Sequence, residues 1–119
     1  MKLAVTSVGP DLSSQMDQRF GRARYLVIVD SPEGTATALD NRLAQNAAEG
    51  AGIQAAQNVI DSKATALITG HCGPKAFRAL QAAGIEVYKA EEGTVAEAVA
   101  QFEAGKLQKL AGADVNSHW

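Results

Sequence analysis

The chain has 119 residues, 46% of them hydrophobic and 20% charged, with a formal net charge of −2. This length fits one domain with one modest core, and the slight acidity argues against nucleic-acid binding, which needs a dense cationic surface. One cysteine cannot form an internal disulfide, and no apolar run approaches the ~18 residues of a membrane span. The chain starts directly on a strand pattern, without a secretory h-region. We therefore expect a cytoplasmic monomer that contacts neither nucleic acid nor membrane.

The first half of the chain predicts three strands. Residues 3–8 alternate between apolar and polar side chains, which is typical of a half-buried strand. Residues 25–29 form a continuous β-branched and aromatic run, which indicates a strand buried on both faces. After a turn cluster, residues 35–39 can return as the antiparallel partner. A polar loop, residues 9–24, separates the first two strands.

The second half of the chain predicts helices that alternate with strands. A first helix follows Gly50 and carries an inward stripe of Ile53, Ala56 and Ile60. A short buried strand covers residues 64–69. A second helix is predicted to begin at Pro74. The backbone N–H at the first position of a helix has no partner within the helix, so proline, which lacks this N–H, is favoured there.

The second helix should place Phe77, Leu80 and Ala83 inward and end at Gly84, a natural left-handed residue. Another strand covers residues 85–88. Thr94 and Glu97 form a capping-box pattern, which predicts a third helix with Val95, Ala98, Val99 and Phe102 inward and Gly105 at its end.

These elements give the order β-β-β-α-β-α-β-α and an α/β fold with a mixed sheet of five strands and flanking helices. Helix-linked strands favour parallel pairing through right-handed crossovers, and the early strands favour antiparallel pairing. We place the domain at residues 1–105. Residues 106–119 are predicted to be a partly flexible tail, from which Leu107 and Leu110 pack back.

Two loops follow strands at the edge where open α/β sheets bind ligands. One is Gly70-His71-Cys72-Gly73, directly before a helix. The N–H groups and dipole of that helix start suit an anion, and the two glycines permit close approach of backbone to ligand. Cys72 there would be thiolate-like and could ligate a soft metal, with His71 as a second ligand. The alternatives are a buried small hydrophobe and a hydrogen-bonded loop residue.

The loop after the first strand holds arginines around Phe20 and Gly21. Arg19 and Arg22, together with Lys75, could form a cationic wall for an anionic ligand. The alternative is a surface ion pair between Asp17 and an arginine, which stabilises little. Met16 is a candidate soft ligand or a gap-filling core residue.

A closed structural zinc site is not indicated, since two histidines and one cysteine cannot supply four ligands without carboxylates and the sequence has no Cys-x-x-Cys. His71-Cys72-x5-Arg78 matches the signature of cysteine phosphatases, which gives an alternative function. Pro74 argues against it, because a helix that begins there carries Arg78 more than a turn along and away from the thiol.

Four segments resemble the dinitrogenase iron–molybdenum cofactor biosynthesis family, in order and over nearly all of residues 1–105. They are Asp17-Gln-Arg-Phe-Gly-Arg-Ala23 with Tyr25-Leu-Val-Ile-Val-Asp30, Gly50-Ala-Gly-Ile-Gln-Ala-Ala56, Gly73-Pro-Lys-Ala-Phe77 with Leu80-Gln-Ala-Ala-Gly-Ile85, and residues 95–107.

The resemblance implies a ribonuclease H-like fold and noncovalent binding of an anionic molybdenum-containing metal–sulfur cluster. The cluster would be a molybdenum–copper sulfide or an iron–molybdenum cofactor precursor. The protein would be a carrier or assembly scaffold rather than an enzyme, working with a protein that donates or accepts the cluster. A nuclease is excluded, since magnesium catalysis needs converging carboxylates and the strand ends offer Ser7, Asp30 and Thr69. The candidate ligand-binding residues are Arg19, Arg22, Gly70, His71, Cys72, Gly73 and Lys75, with Met16, His71 and Cys72 as candidate metal ligands.

Overall fold

A six-stranded mixed sheet forms the centre of the computed structural model, which describes residues 1–47 and 50–112. The spatial order is β3-β2-β1-β4-β5-β6. The strands are β1 (Lys2–Ser7), β2 (Tyr25–Asp30), β3 (Ala36–Asp40), β4 (Ala66–Thr69), β5 (Glu86–Lys89) and β6 (Gln108–Lys109). The helices are α1 (Arg42–Gln45), α2 (Ala51–Asp61), α3 (Pro74–Ala82) and α4 (Val95–Glu103).

Four strands end at the same edge of the sheet. β1 pairs antiparallel with β2 and parallel with β4, while β3 is antiparallel to β2 and β5 is parallel to β4. β1, β3, β4 and β5 therefore all run in one direction. We call the edge where they end, at Ser7, Asp40, Thr69 and Lys89, the carboxyl edge.

Strand side chains alternate between two cores, one on each face of the sheet. Ala4, Leu26 and Leu67 point to the first core, where α2 and α3 contribute Ala55, Val59, Phe77 and Leu80. The neighbouring strand residues point to the second core, which is closed by α4. That set is Leu3, Val5, Val27, Val29, Ala66 and Ile68, packed against Val95, Ala98 and Val99.

The predicted inward stripe of α2 is wrong at Ile53 and confirmed at Ala56, and Ile60 is partly buried against the first core. Ile53 is 44% exposed, whereas Ala55, Ala56 and Val59 are fully buried. Apolar residues occur on several sides of this helix, so periodicity alone favoured the large side chain of Ile53. The helix instead turns its small alanines inward, where it packs against the sheet and α3.

The predicted start and end of α3 and the predicted start of α4 are confirmed. α3 begins at Pro74, and Gly84 just beyond it has a left-handed φ of 78°. The capping box of α4 is formed, with the Thr94 hydroxyl accepting from the Glu97 N–H at 3.2 Å and the Glu97 carboxylate accepting from the Thr94 N–H at 2.8 Å. One side chain differs from prediction: Ala83 is exposed, and Ala76 is the buried alanine of α3.

The sheet has one strand more than predicted. β6 lies in the segment predicted as a tail and pairs antiparallel with β5. The Leu110 N–H donates to the Val87 carbonyl at 2.8 Å, and Leu107 and Leu110 pack against the cores as predicted. The rest of the predicted tail, residues 113–119, lies outside the described residues. Among the described residues, no helix has the length and apolar character needed to cross a bilayer.

Candidate functional site

The two predicted loops lie side by side at the carboxyl edge. The His71 N–H donates to the Gln18 carbonyl at 2.7 Å, and the Phe20 N–H donates to the His71 carbonyl at 3.1 Å. These bonds make a short parallel bridge between Arg19 and His71, which continues the sheet past the ends of β1 and β4. We call this contact the loop junction.

Gly70 is needed for the loop junction itself rather than for a ligand. A Cβ at this position would lie 2.6 Å from the Gln18 carbonyl oxygen and 2.7 Å from the Gln18 Cα, distances that real side chains do not reach. The space that the prediction reserved for a ligand is therefore filled by the chain's own backbone. Gly73 is the N-cap of α3 and has an extended φ of −77°, which other residues also adopt.

Two buried threonines hold the base of the junction. The Thr6 hydroxyl donates to the Asp17 carbonyl at 2.6 Å and lies 2.9 Å from the Thr69 hydroxyl. A hydroxyl has one proton, so Thr69 must be the donor to Thr6. The chain Thr69–Thr6–Asp17 thus links the ends of β4 and β1 to the first loop.

Asp17 is the buried acid of the site. Its carboxylate is 8% exposed and accepts the Arg19 N–H at 2.9 Å. The Arg19 guanidinium also contacts it, at 3.4 Å and 3.5 Å, with its side chain 49% exposed. The predicted alternative of an Asp17–arginine pair is thus present, and Arg19 still faces solvent.

Arg22 faces away from the predicted cationic wall. Its Nη1 donates to the carbonyls of Gln45 and Ala47, at 3.1 Å and 2.6 Å. These carbonyls follow α1, where helix carbonyls lack internal partners and attract cations. Arg22 therefore fixes the segment after α1 to the first loop.

A further pair of arginines lies where β2 begins and β3 ends. Arg24 Nη1 lies 2.6 Å from the Asp40 carboxylate and stacks over the Tyr25 ring at 4.4 Å, while Arg42 lies 3.3 Å from the same carboxylate. The hydrogen bond from the Arg42 N–H, with the charges of both arginines, lowers the pKa of Asp40. Asp40 and Arg42 were not among the predicted site residues. The predicted antiparallel pairing of the first three strands could have identified them, because it brings the end of β3 to the same edge as the end of β1.

Two helices start at this edge without a side-chain cap. α3 follows β4 directly, and α2 runs back toward the start of β4, so both begin at the carboxyl edge. In the described residues no side chain caps Gly73 or Gly50, the N-caps of α3 and α2. Helix starts without a side-chain cap suit an anion. Lys75 is exposed in the first turn of α3, as predicted.

The three candidate metal ligands point to different places. Cys72 is fully buried in the first core, and Met16 is buried in the second core on the opposite face of the sheet. His71 is half-buried in the junction between them. Direct ligation by Cys72 or Met16 stays a prediction, and it would require each side chain to leave a core.

Other chemistries find less support in the geometry. Arg78 is exposed on the second turn of α3 while the Cys72 thiol is buried, so the phosphatase arrangement of thiol and arginine around one phosphate is not formed. Within residues 1–47 and 50–112, no three His, Cys, Asp or Glu side chains are grouped as a metal site would need.

Comparison with known proteins agrees with this architecture. The family model described as dinitrogenase iron-molybdenum cofactor matches residues 1–105. The apo form of the orange protein from Desulfovibrio gigas is 46% identical, with a TM-score of 0.92 and 96% of each chain covered. A candidate NifB protein from Thermotoga is 37% identical, with a TM-score of 0.83 and coverage of 96% of this chain and 97% of that one.

A relative from Methanocaldococcus jannaschii, an uncharacterised protein, is 30% identical over 112 residues and 92% of each chain. The match to the family model spans both loops of the junction and all three of the longer helices. This chain therefore belongs to the dinitrogenase iron–molybdenum cofactor family.

Proposed function

We propose that this protein binds an anionic, molybdenum-containing metal–sulfur cluster noncovalently at the carboxyl edge and carries it as cargo or holds it during assembly. The cluster is a molybdenum–copper sulfide or a precursor of the iron–molybdenum cofactor. Family membership supports a cofactor-related role in general. The kind of cluster is our proposal.

The observation that carries the proposal is a group of cationic side chains at the part of the carboxyl edge formed by β3, β2, β1 and β4, on a chain whose net charge is −2. The acidic side chains of Glu91 and Glu92 lie at the other end of this edge, after β5. The cationic side chains of the group are Arg19, Arg24, Arg42 and Lys75. Together with two uncapped helix starts, they favour a polyanion over a neutral ligand.

The donor set suits a whole cluster better than a bare metal ion. Guanidinium and backbone N–H groups donate hydrogen bonds but do not ligate metals. The sulfides of a metal–sulfur cluster accept such bonds, and the negative charge of the cluster is matched by the arginines. Within the described residues, His71 is the half-exposed soft donor nearest to the loop junction, and we assign it a contact with the cluster.

A carrier needs a protein that gives or takes its cargo, so we infer a cluster donor or acceptor as the partner of a monomer. The protein is not an enzyme in this proposal. The order β3-β2-β1-β4-β5 with antiparallel early strands supports the ribonuclease H-like assignment, which remains part of the proposal.

The test is anaerobic reconstitution with tetrathiomolybdate, alone and with copper or iron, followed by desalting, absorbance spectra and metal analysis. We expect a coloured protein that retains molybdenum. A protein that stays colourless and free of metal under all three conditions would sink the proposal.

A matched pair of variants locates the site. Arg19→Gln/Lys75→Gln removes two cations from the carboxyl edge and should reduce cluster retention about tenfold or more. Lys2→Gln/Lys63→Gln removes two cations from the opposite edge, where β1 begins and before β4, and should retain the cluster like the wild type. Equal losses in both variants would contradict this location. Hydrolysis of p-nitrophenyl phosphate that Cys72→Ser abolishes would instead establish the phosphatase alternative.

A further inference from the structure

We propose that Asp17 competes with the bound cluster for Arg19, and so determines how tightly the site holds an anion and how readily it releases it. This inference rests on the proposed function. It concerns Asp17, which among the described residues is the buried acid of the site, and it explains why an anion site should contain a buried carboxylate at all.

The carboxylate of Asp17 is held in place independently of the arginine side chain. It accepts the Arg19 N–H at 2.9 Å, and the Asp17 carbonyl accepts the Thr6 hydroxyl at 2.6 Å. The Asp17 N–H in turn donates to the Thr6 carbonyl at 2.9 Å. Its negative charge therefore stays at the base of the site whatever the arginine does.

The Arg19 guanidinium, by contrast, is loosely held. Its contacts with the carboxylate, at 3.4 Å and 3.5 Å, lie beyond the usual 2.7–3.2 Å of a strong hydrogen bond. Half of the side chain is exposed. The pair formed by Arg24 and Asp40 shows the difference, since it closes to 2.6 Å. Arg19 can thus turn toward an anion without breaking a strong bond.

A negative cluster at this edge is attracted by the Arg19 guanidinium and repelled by the Asp17 carboxylate. Part of the favourable energy of the Arg19 contact is therefore offset by loss of the Asp17 contact and by the fixed negative charge. For a carrier this offset is useful, because a polyanion held by uncompensated arginines would dissociate slowly. Asp17 is a positioning residue for Arg19 in this scheme and does not itself ligate the cluster.

Asp17→Asn is the variant that separates charge from structure, because the amide oxygen still accepts the Arg19 N–H. We expect it to bind tetrathiomolybdate about fivefold more tightly, the effect of freeing one partly exposed ion pair, with slower dissociation. The measurement is an anaerobic absorbance titration, with a chase that follows release. Asp61→Asn, at the far end of α2, makes the same change in net charge and should leave affinity unchanged.

The gain should also depend on Arg19. In the Arg19→Gln background, the gain from Asp17→Asn should fall to the part that comes from direct repulsion between Asp17 and the anion, well below the gain in the wild type, since there is no guanidinium left to release. Asp17→Ser, whose hydroxyl also accepts a backbone N–H two residues on, repeats the test if the asparagine variant does not fold.

The outcomes distinguish this inference from the proposal beneath it. A wild type that binds no tetrathiomolybdate, whether alone or with copper or iron, ends the proposed function, and this inference with it, before any variant is measured. A wild type that binds, with a folded Asp17→Asn variant of equal or lower affinity, overturns the inference alone. A gain of the same size in the Arg19→Gln background overturns it as well, because the charge of Asp17 would then act on the anion without the arginine.

Discussion

Two Asp-x-Arg units of this chain use the same local geometry for different purposes. In each, the aspartate accepts the N–H of the residue two positions on, at 2.9 Å for Asp17 and 2.7 Å for Asp40. Asp40 is half-exposed and forms its close pair with Arg24, at 2.6 Å, while Arg42 lies 3.3 Å away and is 63% exposed. Asp17 is buried, and Arg19 lies 3.4 Å away and is 49% exposed. The arginine of each motif is therefore loosely held, and the two units differ in the burial of the acid and in the second arginine that Asp40 fixes.

At this scale Gly70 is the residue whose substitution should cost most. Gly70→Ala forces the backbone of Gln18 away and breaks the loop junction, so we expect about 2 kcal/mol or more of lost unfolding free energy in urea. Gly112→Ala is the control, because a Cβ there meets nothing within 4 Å. Equal stability of the two variants would show that the junction tolerates a side chain.

Arg22 and Arg19 should separate stability from binding. Arg22→Met removes two hydrogen bonds from a charged donor to carbonyls and should lower the unfolding free energy by about 2 kcal/mol. Arg19→Met loses only a weak, half-exposed pair, so it should cost about 0.5 kcal/mol or less while weakening retention of tetrathiomolybdate more than Arg22→Met does. Urea unfolding and metal analysis of the same preparations measure both, and the reverse ranking would contradict a structural role for Arg22 and a binding role for Arg19.

Among the elements, the helix starts differ in how their N–H groups are satisfied. α4 has a complete capping box, and its first two N–H groups donate to the Ser14 and Leu12 carbonyls, each at 2.9 Å. α2 and α3 have no side-chain cap in the described residues. The start of α4 therefore stabilises the first loop, and the starts of α2 and α3 are those that the proposed function assigns to the anion.

The capping box of α4 predicts a dependence of stability on pH. The Glu97 carboxylate accepts a hydrogen bond from the Thr94 N–H, and this bond is the main reason for the lowered pKa of Glu97. The hydrogen bond with the Thr94 side chain lowers this pKa further. A carboxyl with a lowered folded pKa stabilises fully above its unfolded pKa, and that contribution is lost as the pH falls through the folded value. The urea midpoint of the wild type should therefore exceed that of Glu97→Gln at neutral pH, with the difference shrinking in acid. Thr94→Ala should cost about 1 kcal/mol at neutral pH. A difference independent of pH would contradict the role of the charge.

The elements that could be predicted are those specified by neighbouring residues. Pro74, Gly84 and the Thr94–Glu97 box each act within one turn, so the ends of α3 and the start of α4 follow from the sequence. The inward face of α2 depends on what it packs against, which the sequence does not contain. The adjacency of the two loops was predicted because both follow strands in an open sheet. The partners of Arg22 depend on tertiary contacts and could not be predicted. The burial of Cys72 was one of the alternatives that the sequence left open, and tertiary contacts decide it.

For the molecule as a whole, β6 gives the sheet its outer strand beyond the family match at residue 105. Lys109 lies 2.9 Å from the Glu86 carboxylate, and that hydrogen bond is the main reason for the lowered pKa of Glu86. Leu110 packs into the first core. Residues 106–110 therefore act as part of the domain.

A chain ended after Gly105 should be less stable than one ended after Gly112. The shorter chain loses the β5–β6 pairing and the packing of Leu107 and Leu110, for which we expect about 2 kcal/mol or more. Thermal and urea unfolding of the two truncated chains isolate the contribution of residues 106–112. Equal stability would place the boundary of the folding unit at residue 105.

The loop junction also bears on how fast a ligand is bound. Backbone hydrogen bonds join the two loops, and Thr6 and Thr69 connect them to the ends of β1 and β4. We therefore expect the two loops to act as one surface and not to open and close around a ligand. If this edge binds the proposed cluster, we expect capture in one kinetic step, as a collision with a preformed charged surface. Long-range attraction between the arginines and the anion should then set its rate, and added salt should slow it by screening that attraction.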